Sequence, residues 1–275
     1  MNKRPLVLVS WDGAAQPWSM IELNAPAAFD WVLFDFSGRQ AAGPYELRGQ
    51  EVFVLAAKTE CKGEIYQALA DHLQALADER APEYVALLDD DVLTSVSDIN
   101  RALHLGRCAG LDLFSPTLSH DSIYTHRWTL HQANRLYRAV DWVEVMMPFY
   151  RGELFMAARP HFAGNVSSWG IDKYLMPTLQ QLLGYRATAL LDGVMASHRR
   201  PITSGQKVYR NGRTAAEESA LLKALCQRLI TEQQPDLLQS AWYRRIFVQR
   251  HSRSRWQQLK FGLGRPLRRW LEQST

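Results

Sequence analysis

Three consecutive aspartates, Asp89, Asp90 and Asp91, close the apolar run Tyr84-Val85-Ala86-Leu87-Leu88. Carboxylates at the C-terminal end of a buried parallel strand stand where open α/β sheets bind ligands. Hard divalent cations take such oxygens and bridge to diphosphates, so the triplet suits Mn²⁺ or Mg²⁺. On an extended backbone alternate side chains share a side, which predicts that Asp89 and Asp91 meet one ligand. A solvated turn, or the acidic first turn of a helix, would also account for three acids in a row.

Two later groups add chemistry. In Ser167-Ser168-Trp169-Gly170-Ile171-Asp172 a glycine beside an aromatic lets backbone approach a ligand closely. Asp172 stands at a predicted helix start, where it could accept the proton of an attacking hydroxyl or simply stabilise the helix N-terminus. The second group, Asp192-Gly193-Val194-Met195-Ala196-Ser197-His198, ends in an imidazole. A neutral imidazole is a good ligand for Mn²⁺-type metals, although a lone His after a strand is often an ordinary polar residue. Glu144 lies embedded in the apolar stretch 142–150, where it could pair with an Arg. His104, His120, His126, His131 and His161 are not told apart by anything local.

The elements that position these groups follow from apolar patterning. The runs 6–9, 31–34 and 52–55 read as strands buried on both faces, as in a parallel sheet. A helix is expected over 64–80, from Ile65, Leu69, Leu73 and Leu76 at helical spacing, and then the strand 84–88. A helix over 98–109 capped by Ser97 or Asp98 follows, then a short strand at 113–116. The stretch 119–141 is expected to be loop-rich and 142–150 strand-like. A helix over 171–183 and a last core strand at 187–191 precede Asp192-Gly193. Strands alternating with helices predict an α/β core. An amphipathic helix over 215–232 belongs to a change of texture after Pro201, so residues 1–203 are expected to form a catalytic domain and 204–275 a basic helical extension.

Composition agrees with a folded chain. Of 275 residues, 47% are hydrophobic and 22% charged, which is ordinary for a globular protein. No stretch reaches the ~18 apolar residues that span a bilayer, and the run 6–9 is too short for a signal-peptide core. A cytoplasmic protein is expected. Cys61, Cys108 and Cys226 show neither metal spacing nor a disulfide framework.

In order and spacing the three groups resemble GT-A glycosyltransferases, which place a D-x-D motif after a core strand, W-G-x-(D/E) later, and often a metal-binding His near the domain end. Residues 84–92, Ser115-Pro116-Thr117-Leu118-Ser119, Trp142-Val143-Glu144-Val145-Met146-Met147-Pro148, 168–172 and 190–198 more closely resemble the GT-A-like family labelled lysine-ketoglutarate-reductase trans-splicing-related proteins. The resemblance covers roughly residues 5–198. It implies a GT-A-like, Rossmann-like and mostly parallel central sheet flanked by helices. It also implies a nucleotide-sugar donor, with Asp89 near the ribose, Asp91 and His198 on the metal, and Asp172 as acceptor base. The triple Asp leaves open whether Asp89 or Asp90 faces the nucleotide. Asp12 after the first strand and Lys58 after the third would help bind the donor, Trp169 would pack on a sugar, and Glu144 and Gly170 would line the acceptor side. Inverting transfer to a glycan or lipid-linked hydroxyl follows. No Gly-rich phosphate loop favours the rival within enzymes, a nucleotidyltransferase or nucleotide-sugar hydrolase, and no G-x-G-x-x-G after a strand suggests a lysine-modifying reductase. A non-catalytic sugar- or nucleotide-binding module is the alternative from another class.

The C-terminus is basic and aromatic. Arg244, Arg245, Arg250, Arg253, Arg255, Lys260, Arg265, Arg268 and Arg269 interleave with Trp242, Phe247, Trp256, Phe261 and Trp270. Such a segment, 242–271, suits an anionic membrane surface, with a packed helix or an oligomer contact as alternatives. Specific nucleic-acid binding is not expected beside an acidic crevice.

Overall fold

A computed structural model describes residues 4–14, 16–76, 81–201 and 206–248. The elements, in chain order, are β1 (Leu6–Trp11), β2 (Ile21–Glu22), β3 (Asp30–Asp35), β4 (Gly43–Leu47), β5 (Gln50–Ala56), α1 (Lys62–Ala75), β6 (Tyr84–Leu88) and β7 (Val92–Ser95). There follow α2 (Val96–Cys108), β8 (Leu113–Leu118), β9 (Arg138–Ala139), β10 (Phe149–Arg151), α3 (Gly152–Ala158), α4 (Met176–Leu182), β11 (Thr188–His198) and α5 (Ala215–Gln233).

The apolar runs become the sheet centre because both their faces are covered. β5, β3, β1 and β6 lie side by side and parallel, with Val7 opposite Trp31 and Ala86. The full order is β2-β7-β11-β8-β10-β6-β1-β3-β5-β4, with β9 paired to β11. One apolar cluster on one side joins Leu8, Leu87, Tyr66, Leu69, Phe155 and Phe162. A second, on the other side, joins Val7, Val9, Leu88, Ile99, Leu103 and Phe114. The result is an α/β protein with a large central sheet flanked by helices, as expected. α5 adds Leu222, Cys226 and Ile230 to the first cluster.

The parallel arrangement is interrupted where the expected strand 142–150 fails to form. Only Phe149–Arg151 is β-structure, and it runs antiparallel to both β6 and β8. Pro148 has no N–H to give to a ladder, while its carbonyl takes the Leu87 N–H at 3.2 Å and the Met146 carbonyl takes that of Asp89 at 3.1 Å. Residues 142–148 therefore lie as a strap across the end of β6, and Glu144 sits on it rather than in a strand. β4, β9 and the end of β11 bring further antiparallel pairs, so the sheet is mixed beyond its parallel centre.

Two other expectations change. The residues after the acidic triplet form β7 before the next helix begins, and Ser95 caps that helix by accepting the Asp98 N–H at 3.1 Å. The last core strand does not stop at Asp192-Gly193. A bulge between Leu191 and Met195 absorbs those residues and the strand continues to His198. Asp192 is buried there against Arg138 (3.0 Å) and the Gln132 N–H (2.8 Å), a structural anchor for the 130–138 loop. Of the basic segment 242–271, residues 249–271 lie outside the described part.

Candidate functional site

The acidic triplet is a turn, which overturns the extended-strand geometry that would place Asp89 and Asp91 on one ligand. Val92 donates its N–H to Asp89 O at 3.2 Å, closing four residues between β6 and β7. The Ser10 hydroxyl on neighbouring β1 accepts the Asp90 N–H at 3.0 Å and anchors the turn to the sheet end. The three side chains fan out, and each meets a basic group of the chain itself. Asp89 lies 2.6 Å from Lys62 Nζ, Asp90 2.8 Å from Arg200 and Asp91 3.4 Å from His198 Nε2.

Lys62 escaped the sequence reading, which pointed to Lys58. Lys58 is exposed beyond the end of β5, whereas Lys62 opens α1 and turns inward. Besides Asp89 its ammonium donates to Leu87 O at 3.3 Å and to Val145 O. These partners satisfy its three donors and tie α1, the β6 end and the 142–148 strap together. Gly63, the next residue, allows α1 to start close against the 165–166 loop, because a Cβ there would clash with Asn165 O. The only advance signal was a lysine at a helix start following a core strand.

Asp91 and His198 meet because of strand register. His198 pairs with Val92 across antiparallel β11 and β7, and the Arg199 N–H donates to Asp91 O at 3.0 Å. His198 Nδ1 lies 2.8 Å from Ile123 O, so Nδ1 carries the hydrogen and Nε2 faces Asp91. Burial would lower the imidazole pKa, but Asp91 outweighs it and holds it above the ordinary value. Burial would likewise raise Asp91, and His198 holds it below the usual carboxylate range. Asp89 and Asp90 are both raised, chiefly by burial, with Lys62 and Arg200 offsetting part of that.

The pair fits a divalent cation in two respects. Asp91 Oδ1 is buried without a hydrogen-bond partner. The backbone carbonyl on His198 Nδ1 fixes the ring as metal-binding histidines are usually fixed, with Nε2 as the ligand atom. Among the described residues no three His, Cys, Asp or Glu side chains form a complete metal cluster. Asp91 and His198 would supply two ligands and leave the others to a diphosphate and water.

Asp12 follows β1, accepts the Ala14 N–H at 3.0 Å, and lies close enough to Arg200 to raise its pKa. Asp12, Asp90 and Arg200 thus gather beyond the ends of β1 and β6.

Asp172 lies close enough to Glu144 for its charge to act there. Glu144 is buried, with Oε1 3.6 Å from His126 Nε2 and Oε2 unpartnered. Burial, and then the charge of Asp172, push its pKa up to about 8. Asp172, itself desolvated, is pushed up to about 6, against backbone hydrogen bonds such as that from the Lys173 N–H at 2.7 Å. It stands in a single wide turn, Ile171–Leu175, ahead of α4; such π-type turns recur at functional sites. Below the two acids the Tyr66 and Tyr150 hydroxyls meet at 2.9 Å, both phenols held protonated by burial.

The loop before Asp172 is held by a residue the sequence did not single out. Glu218 on α5, 2% exposed, accepts the N–H groups of Val166 (2.9 Å) and Ser167 (2.7 Å) and the Asn211 amide (2.6 Å). Gly170 adopts φ +88°, and a Cβ there would press on Ser219 and Leu222 of α5. Its small size serves helix packing in this structure. Trp169 beside it is 41% exposed.

No family model matches this chain, and no curated protein matches it; the resemblance to the trans-splicing-related family gains nothing from either. Among solved structures, S. aureus TarS in complex with UDP-GlcNAc is similar at 10% identity, over 89% of this chain and 78% of that chain, with a TM-score of 0.47. S. aureus TarS in complex with UDP gives 11% identity, 88% and 77% coverage and a TM-score of 0.46. The 4-diphosphocytidyl-2C-methyl-D-erythritol synthase of Anaerococcus prevotii gives 12% identity, 82% and 97% coverage and a TM-score of 0.37.

Proposed function

We propose that this chain is a GT-A-like glycosyltransferase that moves a sugar from a nucleoside-diphosphate sugar to a hydroxyl of a glycan or lipid-linked acceptor. The observation that carries the reading is the gathering near the β6 end of two unlike sets of side chains. One set is Asp91, His198 and Arg200; the other is two carboxyls, Glu144 and Asp172, poised at different proton affinities.

Asp172, ionised above about pH 6, accepts the proton of the acceptor hydroxyl. The hydroxyl oxygen bonds to the sugar C1 as the bond from C1 to the diphosphate oxygen breaks, with inversion at C1. The electron pair leaves with the diphosphate, and Arg200 meets its negative charge. Asp91 and His198 would hold Mn²⁺ or Mg²⁺, which when bound supplies Lewis-acid neutralisation of the leaving group. Lys62 holds Asp89 in place for the nucleoside and, with its donors satisfied, does not itself reach the phosphates. Asp12 and Asp90 border the donor side, and Trp169 offers an exposed ring to a sugar.

A panel of nucleotide sugars, assayed for acceptor-dependent release of free nucleoside diphosphate, tests the reading. Turnover with one donor, lost in Asp172→Asn, is expected. Donor binding that never leads to transfer in the intact protein would leave a binding module instead.

A further inference from the structure

We infer that Glu144, His126 and the packed rings of Trp128 and Trp142 form an acceptor subsite for a pyranose ring, with Glu144 hydrogen-bonded to the hydroxyl beside the one Asp172 deprotonates. The inference rests on the transferase reading above and commits it to a carbohydrate acceptor.

Three observations carry it. First, Glu144 Oε2 is buried and unpartnered, while Oε1 lies 3.6 Å from His126 Nε2. A buried carboxyl oxygen left unpaired costs roughly 1–3 kcal/mol, so a ligand hydroxyl reaching it recovers a bond the free protein lacks. Second, Glu144 and Asp172 come from different elements, the 142–148 strap and the wide turn before α4, yet lie close enough for Asp172 to act on the Glu144 charge. One hydroxyl satisfies one carboxyl. Adjacent hydroxyls on a ring satisfy both, whereas a monohydric alcohol leaves Oε2 bare.

Third, the wall beside Glu144 is aromatic. His126 stacks on Trp128 with 5.7 Å between centroids and meets Trp142 edge-on at 5.2 Å; the two indoles are 5.0 Å apart. Trp142 is buried and Trp128 half-buried, while the His126 side chain is 37% exposed. A rigid aromatic wall next to paired polar groups matches the alternating apolar and hydroxyl faces of a sugar ring. The partly exposed imidazole, 3.6 Å from Glu144 Oε1, positions the carboxyl.

The test is saturation-transfer NMR on the full chain with methyl glucopyranoside, methyl galactopyranoside, methyl mannopyranoside and N-acetylglucosamine, with cyclohexylmethanol as the monohydric control. At least one pyranoside should receive saturation and cyclohexylmethanol none. Glu144→Ala should weaken the bound pyranoside about tenfold, and Glu144→Gln, which keeps polar atoms at the site, within about threefold. Should Glu144→Ala fail to fold, His126→Ala takes its place, with weakening expected and an unchanged Kd overturning the inference. No saturation of any pyranoside, or equal binding by wild type and Glu144→Ala, also overturns it. Calorimetry with UDP and GDP on the wild type separates the two ideas: saccharide bound without nucleotide sinks the transferase reading and leaves the subsite standing.

Discussion

His198 Nε2 lies 3.4 Å from Asp91 Oδ2, across strands that only a particular register brings together. Between them these residues hold a proton that a divalent cation would have to replace. In metal-free protein the ion pair contributes full stability between about 3.8 and 6.5, the ordinary values of the two groups. That contribution is lost as pH rises through the raised His198 pKa, and again as pH falls through the lowered Asp91 pKa. Thermal melts across pH should show both losses, and Asp91→Asn should flatten the alkaline one. A wild-type profile identical to that of Asp91→Asn would mean the pair does not form.

Turnover should follow a bell-shaped pH profile. Asp172 works as a base when ionised, above about 6. Glu144 donates a hydrogen bond while protonated, below about 8. Acid and alkaline limbs near those values are expected, and Glu144→Gln should remove the alkaline limb. Asp172→Asn should lower kcat by roughly 10²- to 10⁴-fold, the usual range for losing a general base, with nucleotide affinity kept.

Glu144 also costs stability. Its raised pKa means that the folded chain binds a proton more tightly than the unfolded one, so stability falls as pH rises from 4.5 toward about 8. Glu144→Gln should therefore melt a few degrees higher than wild type at pH 8 and no higher at pH 4. Equal melting temperatures at pH 8 would contradict the buried, uncompensated carboxyl.

How far the sequence foretold this arrangement depended on distance along the chain. β1, β3, β5 and β6 were legible because a strand covered on both faces must be a continuous apolar run. The order Asp91, Asp172, His198 was legible, but their contacts were not, because the bulge at Asp192 and the pairing of His198 with Val92 set them. β7 was not foreseen, since four residues carry too little pattern to declare a strand. Glu144 was assigned to a strand because an apolar stretch fits one equally well; Pro148, with no N–H to donate, was the warning. Lys62 and Glu218 carried almost no signal. Lys62 meets Asp89 and Val145, and Glu218 meets Val166 and Ser167, only in the folded chain.

Lys62→Met should be destabilising, by roughly 1–3 kcal/mol, because it leaves the half-buried Asp89 carboxylate without its partner. Adding Asp89→Asn should restore much of the loss, as urea unfolding of both variants can measure. If the double variant is no more stable than the single one, Lys62 acts through its carbonyl bonds alone.

Gly63→Ala tests the packing of the α1 start on the 165–166 loop. A methyl group 2.3 Å from the Asn165 carbonyl must displace backbone, not a flexible side chain. A loss of roughly 1–3 kcal/mol is expected by urea unfolding, and wild-type stability would contradict the packing.

The central claim is that the site at the β6 end binds a nucleoside diphosphate through Asp91 and a divalent cation. Titration calorimetry with UDP and GDP in Mn²⁺ measures it directly. Binding of one nucleotide in Mn²⁺, abolished by EDTA and by Asp91→Ala, is the predicted result. Binding that Asp91→Ala leaves untouched, or no binding of either nucleotide by folded wild-type protein, would contradict it.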